Sequence, residues 1–294
     1  MQRAPCAARL CVASLCVLAL GVSAAGGVQQ ALAASEGTAS RPAPSEAEQQ
    51  KMLAAMREYA EDYTAKLPNF ICQQTTSQFE AGKKPTRWHK GDTLTSRLVF
   101  TDGREHRTLE MVNNKPVRFT GRPWRTPLTT EGEFGILLAN VFDPATATSF
   151  SWAGWDIFRG QPVAKFDYSV DRQHSTLSLS LSDLAKAIVP YHGSILGDAS
   201  TGAVRRITSE TAAIPEQVQT KSIATTVDYD TVRIGSQDYL LPVEANVMLV
   251  TDRNNIRNEM QFQGYRKFEA ESTITFGSDA ADGNRGEKPH NPQP

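Results

Sequence analysis

The chain has 294 residues, 40% of them hydrophobic and 21% charged, with a formal charge of -1 at neutral pH. That length can bury one sizeable core or two modest ones. The 20 glycines and 16 prolines are near average usage, which excludes collagen-like and wholly disordered chains, and the charge excludes a strongly nucleic-acid-binding polypeptide.

Residues 1–34 carry Arg3 and Arg9, then an apolar run over 10–20, then small residues. This three-part pattern reads as an export signal. The run is shorter than the ~18 apolar residues a membrane-spanning helix needs, so no stable span is expected after cleavage. Cys11 and Cys16 each follow a leucine rather than a small residue, which argues against lipid attachment. Losing Arg3 and Arg9 leaves 29 basic against 32 acidic residues, so the mature charge is about -3. Cys6, Cys11 and Cys16 go with the leader. Cys72 alone remains, so no internal disulfide can form, and its apolar setting after Phe70 and Ile71 reads as a buried structural thiol.

Residues 35–44 are rich in proline and small side chains and read as a flexible tether. Ser45 with Glu48 forms a capping-box pattern ahead of Met52, Leu53, Met56, Tyr59, Ala60, Tyr63 and Leu67 at helical spacing. A helix is predicted over 46–66, stopped by Pro68. From Phe70 the period becomes two. Strands are predicted from 70, over 87–89 and 93–101, and over 104–113, with turns at 82–85, Asp102-Gly103 and 113–115. A second helix is predicted over 130–142, capped by Thr130 and carrying Phe134, Leu138 and Phe142, with Asp143-Pro144 ending it. Strands follow over 149–155, 163–170, 175–182, 194–197, 204–211, 223–234, 239–250 and 258–268. The third of these, Ser-Thr-Leu-Ser-Leu-Ser-Leu-Ser, alternates almost strictly. The strands are read as one continuous antiparallel sheet, and 45–276 as a single β-rich domain with an N-terminal helix. Residues 277–294 lack large aliphatic side chains and read as a disordered tail.

The sequence contains no GxSxG, HExxH, Walker-type or GxGxxG signature. The five histidines are isolated, so no metal site is expected, and no cofactor. The groups worth testing as catalytic are His192 near Ser194, and Asp228 with Asp230 on one strand face. A solvated face and a strand-end histidine are the plainer readings. Arg118, Arg122 and Arg125 with Trp124 could meet a phosphate or lipid headgroup, or could simply form a packed loop.

Leu67-Pro68-Asn69-Phe70-Ile71-Cys72, Val141-Phe142-Asp143-Pro144, the hairpin over 198–208 and the run from Tyr265 to Phe276 together resemble a group of secreted proteins found mainly in acidobacteria. That group supplies no activity to carry over. More remotely, the helix-then-meander order and the Asp198, Thr201, Gly202 turn are similar to the periplasmic lipoprotein-carrier and sigma-factor-regulator sensor fold. The remote likeness implies an α+β, mainly antiparallel β architecture: one large curved open sheet, half-barrel-like, covered by about two helices. Such a sheet would leave an apolar concavity, with Met52, Met56, Tyr59, Tyr63, Leu138 and Phe142 as the tentative lining. The function this suggests is an exported, periplasmic or secreted, non-enzymatic protein that binds a lipid or lipidated peptide. The alternative is a structural or interaction module of the cell envelope with an envelope protein as partner and no ligand cavity.

Overall fold

The computed structural model describes residues 41–117, 135–182, 185–218 and 220–268. The fold lies in the unit Pro42–Pro294. The expected leader, the first part of the tether, the C-terminal tail and the Arg118, Arg122, Arg125, Trp124 cluster lie outside the described residues.

The elements in chain order are α1 (Glu46–Lys66), β1 (Phe70–Gly82), β2 (His89–Thr101), β3 (Arg104–Val112), β4 (Lys115–Pro116), α2 (Ile136–Phe142), a 3-10 turn (Pro144–Thr146), β5 (Ser149–Phe158), β6 (Gln161–Val170), β7 (Ser178–Ser182), β8 (Ala185–Ile188), β9 (Tyr191–Gly197), β10 (Val204–Thr211), a second 3-10 turn (Glu216–Val218), β11 (Thr220–Ile234), β12 (Gln237–Thr251) and β13 (Asn254–Lys267). Among the described residues eleven strands form one open antiparallel sheet in the order β4-β3-β2-β1-β13-β12-β11-β10-β9-β6-β5. The α+β architecture matches the expectation.

Two expectations change. The 175–182 strand does not join the main sheet: β7 and β8 pair only with each other, Ser178 opposite Ile188. Strict alternation demands one wet and one covered face but does not name the partner strand. The second helix begins at Ile136, after Gly135 in the left-handed conformation at its N-cap, rather than at 130; Thr130 lies outside the described residues.

α1 starts with the capping box. The Ser45 amide donates to Glu48 Oε2 at 2.7 Å, and the Glu48 amide donates back to Ser45 Oγ at 3.3 Å. Its buried stripe, Met52, Leu53, Met56, Ala60 and Tyr63, packs on the inner face of the sheet. Leu67 is already extended at the C-cap, as a residue before proline must be.

The helix is seated on the β9-β10 hairpin by a specific turn. Asp198 Oδ1 accepts from the Ser200 and Thr201 amides at 2.9 and 2.8 Å and from Ser200 Oγ at 2.6 Å. The Asp198 amide donates to the Ala203 carbonyl, and the Gly202 amide to the Asp198 carbonyl, each at 2.9 Å. Gly202 has φ +72°, and a Cβ there would stand 2.2 Å from the Ala55 carbonyl oxygen. Only glycine lets α1 come this close.

At the other end of α1 the Tyr63 hydroxyl donates to the Leu240 carbonyl at 3.0 Å, and the Tyr265 hydroxyl donates to that of Pro242. These carbonyls lie in a stretch of β12 that β13 does not pair, since the β12-β13 register runs only from Glu244 to Val250. Pro242 occupies a central strand because a register shift falls there, between Asp228 and Tyr229 on β11. The two tyrosines thus satisfy backbone groups that the sheet leaves over.

Two outcomes follow from the α1 seat. Gly202→Ala is expected to lower unfolding stability in urea by about 3 kcal/mol, combining a left-handed backbone with overpacking against α1. Hydrogen bonds from the Ser200 hydroxyl, then those from the Thr201 and Ser200 amides, hold the Asp198 carboxyl down at about 2. A depressed folded-state pKa contributes stability that is present above the unfolded value near 4 and lost as pH falls toward 2. Asp198→Asn should therefore be less stable than wild type at pH 7, with a flatter melting-temperature curve between about pH 4 and 2.

Candidate functional site on the inner face of the sheet

The registers align side chains into rows across the inner face. One row reads Trp152, Phe166, Ile195, Ile207, Val227, Ala245, Met260, Thr76 and Leu94 from β5 to β2. It is almost wholly apolar and belongs to the core. The next row, farther from α1, reads Phe150, Tyr168, Gly193, Ser209, Thr225, Val247, Asn258 and Gln78. Beyond it lie Tyr191, Thr211, Ile223, Leu249 and Ile256. The inner face therefore grades from apolar under α1 to mixed polar at the far end of the strands.

Of the six side chains expected to line a ligand site, Met52, Met56, Tyr63, Leu138 and Phe142 are buried in one core cluster, and Tyr59 is partly buried against it. They come from both helices. Met56 fills the space above Gly197, where an added Cβ would meet its Cε at 2.5 Å. Tyr63 stacks edge-on with Tyr229 at 5.9 Å, and Phe142 lies flat on Phe150 at 5.3 Å. Burial pushes the Tyr59 hydroxyl up to about 12 and that of Tyr63 well above the ordinary phenol range, so both stay neutral donors.

Sequence reading missed the polar residues on the same face. Gln74, Thr76, Gln78, Ser96, Ser209, Thr211 and Asn258 are all buried. Gln74 Nε2 donates to Thr76 Oγ1 at 3.0 Å. Gln74 Oε1, Gln78 Nε2 and the Tyr191 hydroxyl find no hydrogen-bond partner among the described residues. Buried polar atoms are normally satisfied, so an acceptor and a donor left over on β1 and a hydroxyl left over five strands away on β9 mark separate points of the inner face where a polar group or water completes the bonding. Between Gln78 and Tyr191 the aliphatics Ile223, Leu249 and Ile256 are only half-buried. The signal in the sequence was the alternate Gln74, Thr76, Gln78 in a strand whose earlier alternate positions, Phe70 and Cys72, are core.

The residues considered for catalysis lie elsewhere. Asp228 is buried on the outer face and held by Arg206 through both oxygens, at 2.5 and 2.6 Å. Asp230 pairs separately with Arg159. Asp228, but not Asp230, borders a shallow outer groove of about 470 Å³ that includes Arg206, Thr226, Glu244, Asn246 and Gln261. Each carboxylate thus has its own guanidinium, and the pair shares no proton-transfer geometry. His192 is exposed on β9, and Ser194 Oγ sits 3.1 Å from Thr208 Oγ1. Among the described residues no group of three His, Cys, Asp or Glu side chains could hold a metal, and no helix is long and apolar enough to cross a membrane.

Cys72 is buried in the core between Phe70 and Gln74 on the inner face, where burial drives its thiol up to about 12, partly offset by a hydrogen bond with Tyr265.

No protein-family model matches the chain, and no curated protein is similar to it. Solved structures are similar at low levels. A LolA superfamily protein from Nitrosomonas europaea aligns with 74% of this chain and 93% of its own at 7% identity and a TM-score of 0.30. A DUF1329 family protein from Desulfovibrio piger aligns with 74% and 94% at 7% identity and a TM-score of 0.38. A domain assigned to outer membrane lipoprotein sorting in Vibrio parahaemolyticus aligns with 71% and 91% at 10% identity and a TM-score of 0.33.

The state of Cys72 is directly measurable. A protonated, buried thiol reacts slowly. In the folded protein Cys72 should be nearly inert to a disulfide reagent at pH 8, and should be titrated in full once urea unfolds the chain.

Proposed function

We propose that the protein is an exported, non-enzymatic binding protein that takes up an amphipathic ligand, a lipid or a lipidated peptide, on the inner face of its sheet. The observation that carries this reading is the strip beyond α1. Half-buried Ile223, Leu249 and Ile256 lie beside the unmatched Gln78 amide and within the same face as Gln74 and Tyr191. An apolar chain on the aliphatic strip with an ester, amide or hydroxyl at Gln78 would use both kinds of surface. In this proposal Met52, Met56, Tyr59, Tyr63, Leu138 and Phe142 are the wall that the two helices contribute, and the strip is the floor.

The second reading, an interaction module with a filled core, is favoured by the tight seat of α1, where Met56 fills the space over Gly197 and Ala55 abuts Gly202. An envelope protein would then be the partner, met through a sheet edge or the tether.

Native mass spectrometry of residues 35–294, before and after organic extraction, separates the two. The carrier reading expects an extra mass that extraction removes, and that Leu249→Glu abolishes while the protein stays folded. A repeatedly clean apo mass, together with no uptake of a fluorescent fatty acid, overturns it in favour of the interaction module.

A further inference from the structure

Among the described residues the end of the sheet far from α1 carries a net positive charge. The β1-β2 connection and the first two residues of β2 read Lys83-Lys84-Pro85-Thr86-Arg87-Trp88-His89-Lys90: four cations in eight residues, with no acid, in a chain whose overall charge is -1. Lys83, Lys84, Arg87 and Lys90 are all exposed, and none has an ion-pair partner among the described residues. The neighbouring β12-β13 turn adds exposed Arg253.

These two turns form one tip. Asn254 Nδ2 donates to Glu80 Oε1 at 2.6 Å, and Asn255 Nδ2 donates to the Gly82 carbonyl at 2.7 Å. At the base of the tip the Arg257 guanidinium lies between two rings, 4.8 Å from Phe79 and 4.7 Å from Trp88. That stack fixes the hairpin root and holds an indole beside the cations. Of the acids at this end, Asp252 pairs with Lys221 at 3.2 Å and Glu259 with Arg257 at 3.0 Å, while Glu80 and Asp92 accept from asparagine amides and keep their charge, so five exposed cations outnumber two carboxylates.

We propose that this tip docks the protein on the surface of a bilayer containing anionic phospholipids. Exposed lysines and arginines near such a surface each add to binding, and an indole among them suits the headgroup layer, which is partly apolar and partly wet. An extended acidic peptide, the other polyanion such charges attract, is distinguished from a bilayer by the test below. The inference stands on the surface charge alone and does not depend on the ligand reading above.

The test is co-sedimentation of residues 35–294 with phosphatidylcholine vesicles with and without phosphatidylglycerol. The expected result is binding only to the anionic vesicles, weakening steeply between about 0.05 and 0.5 M salt as screening shortens the reach of the charges. The variant Lys83→Gln, Lys84→Gln, Arg87→Gln, Lys90→Gln should bind roughly tenfold or more weakly. All four side chains are exposed, so its melting temperature should match wild type. A control that removes as much charge elsewhere, Lys51→Gln, Arg57→Gln, Lys66→Gln, Lys165→Gln, should bind as wild type does. Equal binding to neutral vesicles, equal loss in the control, or binding of poly-glutamate without binding of vesicles would each overturn the proposal.

Discussion

Two helices cannot cover an open sheet of this size, and most of the molecule's character follows from that. Eleven strands at about 4.8 Å spacing span about 48 Å, and β11 and β12, with 15 residues each, run for about 50 Å. α1, with 21 residues, is about 31 Å long and about 10 Å across, and α2, with seven, adds about 10 Å of length. The helices can sheathe one end of the inner face. There the face is apolar, and Met56, Tyr63 and Leu138 are fully packed. Beyond their reach the rows change to Ser, Thr, Asn and Gln among half-buried aliphatics, and the buried Gln78 amide keeps bonding capacity to spare. The gradient along the strands is thus the chemical expression of a coverage limit, and the candidate binding strip lies where that limit is met.

The outer face solves the opposite problem. Apart from a small buried cluster of Phe158, Val163 and Leu196, it carries its charged residues in pairs along and across strands, such as Arg206 with Asp228 and Arg257 with Glu259. Pairs of this kind contribute little to stability when exposed. Their consequence is a nearly neutral middle, against which the bare cations of the β1-β2 connection form a contrast at one end. Inner gradient and outer contrast run along the same strand axis, so the end of the sheet that is least covered is also the end that is most basic.

Much of this was legible in the residues. Ser45 with Glu48 and Pro68 bounded α1 closely, because caps and proline act through neighbouring backbone groups. Asp102-Gly103 and the Asp198 turn marked hairpins for the same reason. Strand order was not legible: that β1 pairs with β13 depends on contacts nearly two hundred residues apart, and no local pattern encodes it. The alternation over 175–182 showed a two-faced strand and not its neighbour. The six helix residues were found by an apolar stripe, and a stripe is the same signal whether it meets a sheet or a ligand. Gln74 and Gln78 were read simply as part of a strand, since their meaning appears only once the register shows that they share a face with Phe70. Pro242, which argues against a central strand, was accommodated by a register shift that the sequence does not announce.

The position of β13 also bears on how the chain comes together. Its neighbours are β1 on one side and β12 on the other. Without it the described strands separate into a four-stranded N-terminal meander and a six-stranded C-terminal block, with no other ladder between them among the described residues. A growing polypeptide therefore carries two incomplete halves until β13 has been made, and the contact order of the joining step is high. Joining the two halves rests on fourteen late residues. A chain built this way cannot close its sheet before β13 has been made, a property compatible with any route that threads the polypeptide before it folds.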